Sequence, residues 1–483
     1  MYTTAPLLGR FHSPLHHARA QLRRQPLHHL ETVCASRIDP ALLEPNATGE
    51  NSRERIFTPR LTFFAFLDQV LHPEASCRSA LDQILTYYQS LPRYPAITPD
   101  TSAYCQARAR WSEAELIAIR RDLAQRPALH GDTLLLGIPG GRALKVVDGT
   151  TFNLPDTPKN QAAYPQAREQ KPGCGFPLVR LVGLFDLKTG CLLEERSAPY
   201  TTSENALFKA LWPTLCPGDI LVGDRNFCAY ATLATLTREH QCDVLLGVHI
   251  GRRVDFRKGR RLGPRDRLIT WTKPAHRTAH CSPEQWAQLP ATLDVRLIRI
   301  RLGTTRSRCR TITLATTLTD PKRWPVKLLA ALYGRRWDIE LFWDDLKTVL
   351  DMDLLSCRTP TMAQKELQMH FIAYNLIRCL MAETALTCHV ALPRISFTGT
   401  RDALHHYSQA IAKIPARDHG RRRRLYAEML ATLAADLVPE RPDRREPRCQ
   451  KRRPKAYPFL TQPRHQMKDR PKSYRRKKTT PNP

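Results

Sequence analysis

The sequence predicts a mixed α/β protein with an all-helical N-terminal region and a β-rich insertion. Apolar residues recur at helical spacing up to about residue 125, and beyond about residue 137 short apolar runs bounded by turn residues alternate with helical segments. Basic, strand-rich sequence then fills 251–320. We therefore expect a mixed sheet flanked by helices, preceded by a helical region.

Length and composition favour a large folded protein that binds a polyanion. The chain has 483 residues, and 75 lysines and arginines against 45 aspartates and glutamates give a formal net charge of 75 − 45 = +30. Hydrophobic residues make up 42% of the chain. That fraction is too high for a wholly disordered basic protein, because so much apolar surface can offset the entropy lost on ordering. The length predicts about two to four domains.

Composition also excludes other classes of protein. The longest apolar stretches are too short and too charged to span a membrane, so we expect no membrane partner. The 14 cysteines include no C-x-x-C pair, which disfavours zinc ribbons and disulfide frameworks and favours reduced thiols in a cytoplasm. The first 30 residues carry His16, His17, His28 and His29 among arginines but no apolar core of secretory length. We interpret them as a basic arm on nucleic acid, with a transit peptide as the alternative.

The region 1–135 is predicted to be helical and basic. Its helices are expected at 61–71, 79–91, 101–110 and 112–125. Thr58 and Pro59 supply an N-cap and a proline at the first helical position. Two interpretations stay open: a helical bundle with a solvated basic face, and a domain that recognises specific DNA, for which no decisive helix-turn-helix pattern is present.

Strands and helices alternate over 136–250, which we assign to the first part of an α/β core. Strands are expected at 143–147, 178–187, 191–195, 219–223 and 242–248, and helices at 203–215 and 229–239. The order is β, β, β, α, β, α, β, which is typical of helices packed on a mixed sheet.

Three further segments follow this core. We interpret 251–320 as an inserted β-rich module, and 321–390 as the completion of the core by two long helices, the first beginning at Pro325. The basic region 391–483 ends in a tail: from residue 441 onward it holds 16 lysines and arginines, 3 acidic residues and 8 prolines. Such a tail cannot build a core, so we expect it to be disordered.

Four polar residues share one face of the first long helix: Tyr333, Arg336, Glu340 and Lys347. At about 100° of rotation per residue, their side chains fall within an arc of roughly 60°. An apolar face lies beside them, so the polar residues border a buried seam. The alternative is an ordinary solvated face on which Arg336 and Glu340 form an ion pair worth about 0.2–0.5 kcal/mol.

Two aspartates stand at the ends of predicted strands. Asp148 precedes Gly149, and Asp224 precedes Arg225 and Asn226. Each alone is typical of a turn. Because open α/β sheets present their ligands at strand ends, the two aspartates and Glu340 together form a candidate carboxylate triad.

Such a triad points to divalent metal ions and to phosphodiester chemistry. Three clustered carboxylates repel one another unless cations neutralise them. Oxygen ligands, with no His/Cys set at binding spacing, favour Mg²⁺ or Mn²⁺ over zinc. Two such ions about 3.5–4 Å apart stabilise the attacking and leaving oxygens of a phosphodiester. A basic protein with an acidic metal pocket therefore fits DNA as substrate.

The motifs that carry these residues identify a family. They are V-V-D-G-T at 146–150, G-D-R-N-F at 223–227, and tyrosine, arginine, glutamate and lysine at 333, 336, 340 and 347. With them the chain resembles, over roughly 95–385, the DDE transposases of bacterial insertion sequences, specifically the insertion-sequence-four family.

The resemblance implies a ribonuclease-H-like catalytic core with a β-rich insertion between the second aspartate and the glutamate. It implies that Asp148, Asp224 and Glu340 bind two metal ions, and that Tyr333, Arg336 and Lys347 hold the phosphates of the transposon end. It also implies a homodimer that pairs two inverted-repeat ends in the bacterial cytoplasm, and an association with hairpin intermediates.

The expected reaction is hydrolysis of a strand at the element's end, followed by attack of the freed 3′-hydroxyl on another phosphodiester of target DNA. No covalent protein–DNA intermediate is needed, so Tyr333 is expected to bind phosphate. Trp337 is a candidate for stacking on a flipped base, and Trp271 is a second candidate wedge, although a buried core position explains either tryptophan. The arginine runs 421–424 and 451–453 fit non-specific binding of the phosphate backbone.

Two alternatives stay open at this point. A nuclease with the same core would cut DNA without joining strands, and its triad would look identical. A DNA-binding protein descended from a transposase would have lost activity, although the intact triad argues against it.

Overall fold

The computed structural model describes ten stretches of the chain: 28–44, 56–72, 76–89, 100–126, 138–249, 251–252, 254–278, 281–302, 310–439 and 459–467. The expectations for a basic N-terminal arm, for the basic run 451–453 and for most of the C-terminal tail lie outside these residues.

A single mixed sheet forms the centre of the described structure. Its strands are β1 (Leu144–Asn153), β2 (Leu178–Asp186), β3 (Leu192–Pro199), β4 (Ile220–Gly223), β5 (Asp243–Gly247), β6 (Arg260–Gly263), β7 (Asp266–Thr272), β8 (Thr292–Leu302) and β9 (Arg310–Thr316). They lie in the order β3-β2-β1-β4-β5-β9-β8-β7-β6. Strand β1 pairs in parallel with β4, and β4 with β5, whereas the other pairs are antiparallel.

The first five strands confirm the ribonuclease-H-like core. An antiparallel three-strand meander, β1 to β3, continues through the parallel strands β4 and β5, so that β1 lies at the centre of the order 3-2-1-4-5. Burial explains the pattern: Val146, Val147, Leu221 and Val222 are all fully buried, as expected for parallel strands covered on both faces. The mixed α/β class predicted from the sequence is confirmed.

The segment 251–320, predicted as an inserted β-rich module, contains four strands. Its four strands continue the same sheet, because β9 pairs with β5 through Leu245 and Thr316. A buried ion pair, in which Arg296 contacts both carboxylate oxygens of Asp266, joins β8 to β7. Arg296 also donates to the backbone oxygen of Trp324, which anchors the chain as it returns to the core.

Helices cover both faces of the sheet. They are α1 (Glu31–Cys34), α2 (Pro59–Leu71), α3 (Cys77–Gln89), α4 (Ser102–Arg110), α5 (Glu113–Ala124), α6 (Pro158–Ala163), α7 (Glu204–Lys209), α8 (Tyr230–Arg238), α9 (Pro283–Gln288), α10 (Val326–Gly334), α11 (Asp338–Asp344), α12 (Pro360–Thr387), α13 (Phe397–Ala412) and α14 (His419–Ala435). Side-chain caps begin several of them, including Thr58 for α2 and Ser112 for α5. The predicted helix 203–215 is shorter in the structure, ending at Lys209 before a single 3₁₀ turn at Trp212–Thr214.

The N-terminal and C-terminal helices share one hydrophobic core with the sheet. Helix α12 is buried along most of its length and packs against α2, α5, α13 and α14. Residues as distant in sequence as Phe63, Val146, Phe371 and Leu433 belong to the same apolar cluster. The regular elements described within 28–126 are helical, and they are built onto the core.

Arg120 connects this helical layer to the sheet. Its guanidinium is fully buried and donates to Glu194 in β3, to Gln368 in α12 and to the backbone oxygen of Leu193. Asn375 adds hydrogen bonds to Leu192 on the same edge. Each of the three guanidinium nitrogens of Arg120 therefore donates to an acceptor. A buried ion pair is tolerated when its members are hydrogen-bonded in this way.

Removing Arg120 is expected to destabilise the protein strongly. Arg120→Ala leaves the Glu194 carboxylate buried with fewer partners, and we expect a loss of about 3–5 kcal/mol in the free energy of unfolding. The measurement is urea denaturation followed by circular dichroism. Arg257→Ala is the matched control, because Arg257 pairs with Asp255 while 92% exposed and should change nothing measurable. Equal effects of the two substitutions would contradict this account of the interface.

Candidate active site at the β1 and β4 strands

The parallel pairing of β1 and β4 brings the two aspartates together. Val147 is opposite Gly223 in the register, so Asp148 and Asp224 follow at neighbouring positions. Asp148 does not end its strand as the sequence indicated: β1 runs on to Asn153, because its second half pairs with β2. What ends at Val147 is the parallel pairing with β4, and this leaves Asp148 at a break in the sheet.

Hydrogen bonds from the backbone fix both carboxylates. Asp148 Oδ1 accepts from the Gly149 N–H at 2.9 Å, and Asp224 Oδ1 accepts from the Asn226 N–H at 2.7 Å. The second bond caps a 3₁₀ turn at Arg225–Phe227. Each side chain is therefore held in place by the residues that follow it in the sequence motif.

Burial and neighbouring charges both act on the pKa of Asp148. This pKa is raised to about 6, chiefly by burial and in smaller part by the nearby carboxylates of Asp224 and Glu204, against the lowering effects of the Gly149 hydrogen bond and of the Arg336 guanidinium. Proximity of Asp224 and Asp148 is thus visible in the electrostatics as well as in the register.

Glu340 enters the site through Arg336. The residues 326–349 follow one nearly continuous helical path, α10, a 3₁₀ turn at Arg335–Trp337, α11 and a π-helical turn at Asp345–Val349, and α11 packs on β1. Arg336 Nη2 lies 3.3 Å from Glu340 Oε1, and the same guanidinium acts on Asp148. One cation therefore faces carboxylates from both the helix and the sheet.

The three predicted carboxylates are not in a single tight cluster. Among the described residues, two groups of three ligands have all their ligand atoms within 4.8 Å of one another, and neither contains Asp148, Asp224 or Glu340. The Glu340 side chain is 47% exposed, whereas Arg336 is only 12% exposed. Direct coordination of one ion by all three residues therefore requires Glu340 to turn away from Arg336 toward the sheet.

The other residues of the helical face surround this site. Lys347 Nζ donates to the Thr151 backbone oxygen at 3.0 Å and to Thr150 Oγ1 at 3.3 Å, three and two residues beyond Asp148. Tyr333 is only 4% exposed; burial raises the pKa of its hydroxyl, with Arg336 and Asp224 as charged neighbours. A Cβ at Gly247 would lie 2.7 Å from that hydroxyl, so glycine leaves room for it.

The two tryptophans differ in exposure. Trp337 is 39% exposed, with the Arg336 guanidinium carbon 4.8 Å from its ring centroid. Trp271 is 7% exposed in the second apolar cluster, and Arg252 covers its ring at 3.9 Å. Trp337 is therefore accessible beside the site, whereas Trp271 belongs to the core.

Glu204 is the residue of the site that the sequence did not reveal. It stands in the first turn of α7, its carboxylate accepts from Asn226 Nδ2 at 2.7 Å, and a Cβ at Gly149 would lie 2.8 Å from its Cδ. The only sequence signal was an acidic residue after a serine cap, which ordinarily indicates a favourable charge at a helix N-terminus. Its position beside Asp148 depends on the pairing of distant strands.

Comparison with known proteins gives related results. Residues 139–376 match the family described as transposase DDE domain. The chain is 26% identical over 373 residues to the transposase InsG for insertion sequence element IS4 of Escherichia coli (strain K12), covering 75% of this chain and 79% of that protein. It is 31% identical over 139 residues to the putative transposase InsZ of the same strain, covering 29% of this chain and 46% of that protein.

One solved structure has a weaker overall similarity. The similarity to the cryo-EM structure of the piggyBac transposase synaptic complex with hairpin DNA covers 87% of each chain at 11% identity, with a TM-score of 0.40.

No helix among the described residues is long and apolar enough to cross a membrane.

Neutralising Asp148 is expected to stabilise the metal-free protein above pH 6. The pKa of Asp148 is raised from 3.8 to about 6 on folding, so below about pH 4 both states are protonated, and stability falls as the pH rises through 6. Asp148→Asn removes this loss. Relative to wild type in chelator, the variant should gain roughly 1–3 kcal/mol between pH 4 and pH 8.

The measurement is the free energy of unfolding at the two pH values, with Asp156→Asn as control because Asp156 is exposed. A pH-independent difference between wild type and Asp148→Asn would show that Asp148 titrates normally.

Proposed function

Because the chain belongs to the DDE transposases of bacterial insertion sequences, we propose that Asp148, Asp224 and Glu340 form the site at which it cuts an element's inverted-repeat ends and joins them to target DNA. The observation that carries this proposal is the register of β1 and β4, which sets two of the carboxylates side by side, with Arg336 linking them to the third.

The residues of the site fit divalent metal ions. Asp148, Asp224, Glu204 and Glu340 supply only oxygen donors, the preference of Mg²⁺ and Mn²⁺. Burial, and secondarily the carboxylates of Asp224 and Glu204, raise the pKa of Asp148, so a bound cation would stabilise its ionised form. We propose two Mg²⁺ ions held by Asp148, Asp224 and Glu340. When bound, they supply Lewis-acid stabilisation of the charge that develops on the phosphodiester oxygens.

The remaining residues position DNA. Arg336 pairs with Glu340 and presents a guanidinium suited to phosphate. Release of Glu340 toward the sheet would free that guanidinium for a DNA phosphate, so that one exchange of partners completes the carboxylate site and the phosphate site together. Lys347 donates hydrogen bonds to Thr150 and Thr151, two and three residues beyond Asp148, and adds a second cation. The Tyr333 hydroxyl lies beside Arg336, and we assign it to phosphate binding.

We propose that Trp337 contacts the DNA end next to the reacting phosphate. It adjoins Arg336 in the helix and its ring is partly exposed. An aromatic ring at such a position can stack on an unpaired base. The N-terminal helices and the exposed arginines of α14 are proposed to bind the flanking DNA, and a homodimer is proposed to bring two ends together.

Glu340→Ala is expected to abolish excision. Loss of this carboxylate removes one proposed metal ligand, and the rate of excision from a donor plasmid should fall at least about 100-fold while the protein stays folded. Glu284→Ala is the matched control, because Glu284 is an exposed acidic residue on a helix distant in sequence. Excision by Glu340→Ala at the wild-type rate would refute the assignment.

A pre-cut end distinguishes a transposase from a nuclease. Purified wild-type protein is given an end with a free 3′-hydroxyl, Mg²⁺ and a target plasmid, and covalently joined product is expected on a gel. Hydrolysed ends without joined product would favour the nuclease.

Arg336→Gln should weaken binding to the transposon end through a lost phosphate contact. In a titration of end DNA at several salt concentrations, the slope of log affinity against log salt should become shallower by about 0.9. Arg335→Gln is the control, because the neighbouring Arg335 pairs with Asp338. An unchanged slope for Arg336→Gln would contradict its role.

A further inference from the structure

Four histidines and one aspartate meet where the N-terminal and C-terminal helices pack together, away from the proposed active site. They are His28, His29, Asp68, His72 and His405, and we call them the His–Asp cluster. His28 and His29 precede α1, Asp68 lies in α2 with His72 just beyond its end, and His405 lies in α13.

The ligand atoms of the His–Asp cluster lie close together. Asp68 Oδ1 is 3.5 Å from His29 Nε2 and 3.2 Å from His72 Nδ1. The ring centroid of His405 is 4.0 Å from that of His72 and 5.8 Å from that of His29. Two sets of three, one with His28 and His29 and one with His72 and His405, have all their ligand atoms within 4.8 Å of one another, and Asp68 belongs to both.

Several of these atoms are buried and have no hydrogen-bond partner among the described residues. They are His28 Nε2, His29 Nε2 and His405 Nδ1, and Asp68 Oδ1 faces the ring nitrogens of His29 and His72. The side chains of His29 and Asp68 are only 9% and 10% exposed. Buried polar atoms of a folded protein normally have partners, so a group of such atoms converging on one place indicates a missing ligand.

The opposite ring nitrogens are already held by the protein. Gln83 lies 3.4 Å from His29 Nδ1, and Gln409 lies 3.1 Å from His405 Nε2. His72 differs from these two, because its Nδ1 lies 3.0 Å from the backbone oxygen of Asp68 and is also the nitrogen that faces Asp68 Oδ1. Fixing one nitrogen of an imidazole orients the other, and this is the arrangement found around histidines that bind metals.

We propose that the His–Asp cluster binds one zinc ion. Asp68, His72 and His405 form one of the two close-set groups and supply three ligands, and His29, which faces Asp68 Oδ1 from the other group, supplies the fourth. Three imidazoles and one carboxylate match the donors and the number that zinc prefers, whereas Mg²⁺ prefers oxygen alone. Such an ion joins the segment before α1 to α2 and α13. Two of its ligands, His29 and His405, are 376 residues apart in the sequence. Its role is to fasten the N-terminal helices onto the C-terminal ones.

Metal analysis of untagged full-length protein tests this directly. After incubation with zinc and exhaustive dialysis, wild type should retain about one zinc ion per chain, measured by inductively coupled plasma mass spectrometry. Zinc should also raise the thermal midpoint by several degrees. Asp148→Asn protein should retain the same zinc, which separates this site from the proposed active site.

Two neighbouring histidines provide a matched pair of variants. His405→Gln should lose the retained zinc and the thermal shift. His406→Gln should keep both, because His406 is exposed and lies outside the two ligand sets. Equal retention in the two variants, or equal loss, would overturn the assignment.

Cobalt spectroscopy of wild type covers the case in which His405→Gln does not fold. Co²⁺ in a site of three nitrogens and one oxygen should give intense visible bands, which zinc then removes. A wild-type protein that retains no zinc and gives only the pale spectrum of aqueous cobalt refutes the proposal.

Discussion

The adjacency of Asp148 and Asp224 is the constraint on which the rest of the site depends. It is imposed by backbone hydrogen bonds between parallel strands, which do not relax when two carboxylates repel each other. Burial of Asp148, together with the smaller effect of the Asp224 carboxylate, raises the pKa of Asp148. The Arg336 guanidinium lowers this pKa in part. Arg336 and Glu340 lie on the same helical path and pair with each other, so packing of this path on the sheet positions both the cation and the third candidate carboxylate.

Rigidity elsewhere makes that arrangement possible. Helix α12 lies at the centre of the shared core. Buried arginines join it to its neighbours: Arg120 in α5 binds Gln368 in α12 and Glu194 in β3, and Arg378 in α12 binds the backbone oxygen of Thr189 between β2 and β3. A buried charge with every partner in place is costly to displace. The sheet edge and the helices are therefore fixed relative to each other, whereas Glu340, half exposed, is the part of the site that can move.

The sequence predicted the local and periodic features well. Asp224 and the four residues 333, 336, 340 and 347 were predicted from a strand end and from helical spacing, which are visible along the chain; Asp148 was predicted from an apolar run, which the structure shows to be only the part of β1 that pairs with β4. Glu204 was not, since its neighbours come from other strands. The continuation of β1 past Asp148 and the fusion of β9 with β5 were missed for the same reason: both are pairings between distant segments. The His–Asp cluster could not be predicted from spacing, because His405 is more than 300 residues away in sequence from His28, His29 and His72.

Anomalous diffraction from a crystal containing Mn²⁺ and a transposon-end duplex tests the central claim most directly. We expect manganese peaks in contact with Asp148 and Asp224, with the Glu340 carboxylate turned away from Arg336 to complete the coordination and the Arg336 guanidinium on a DNA phosphate. Manganese bound elsewhere, or Glu340 still paired with Arg336 while metal and DNA occupy the site, would contradict the account.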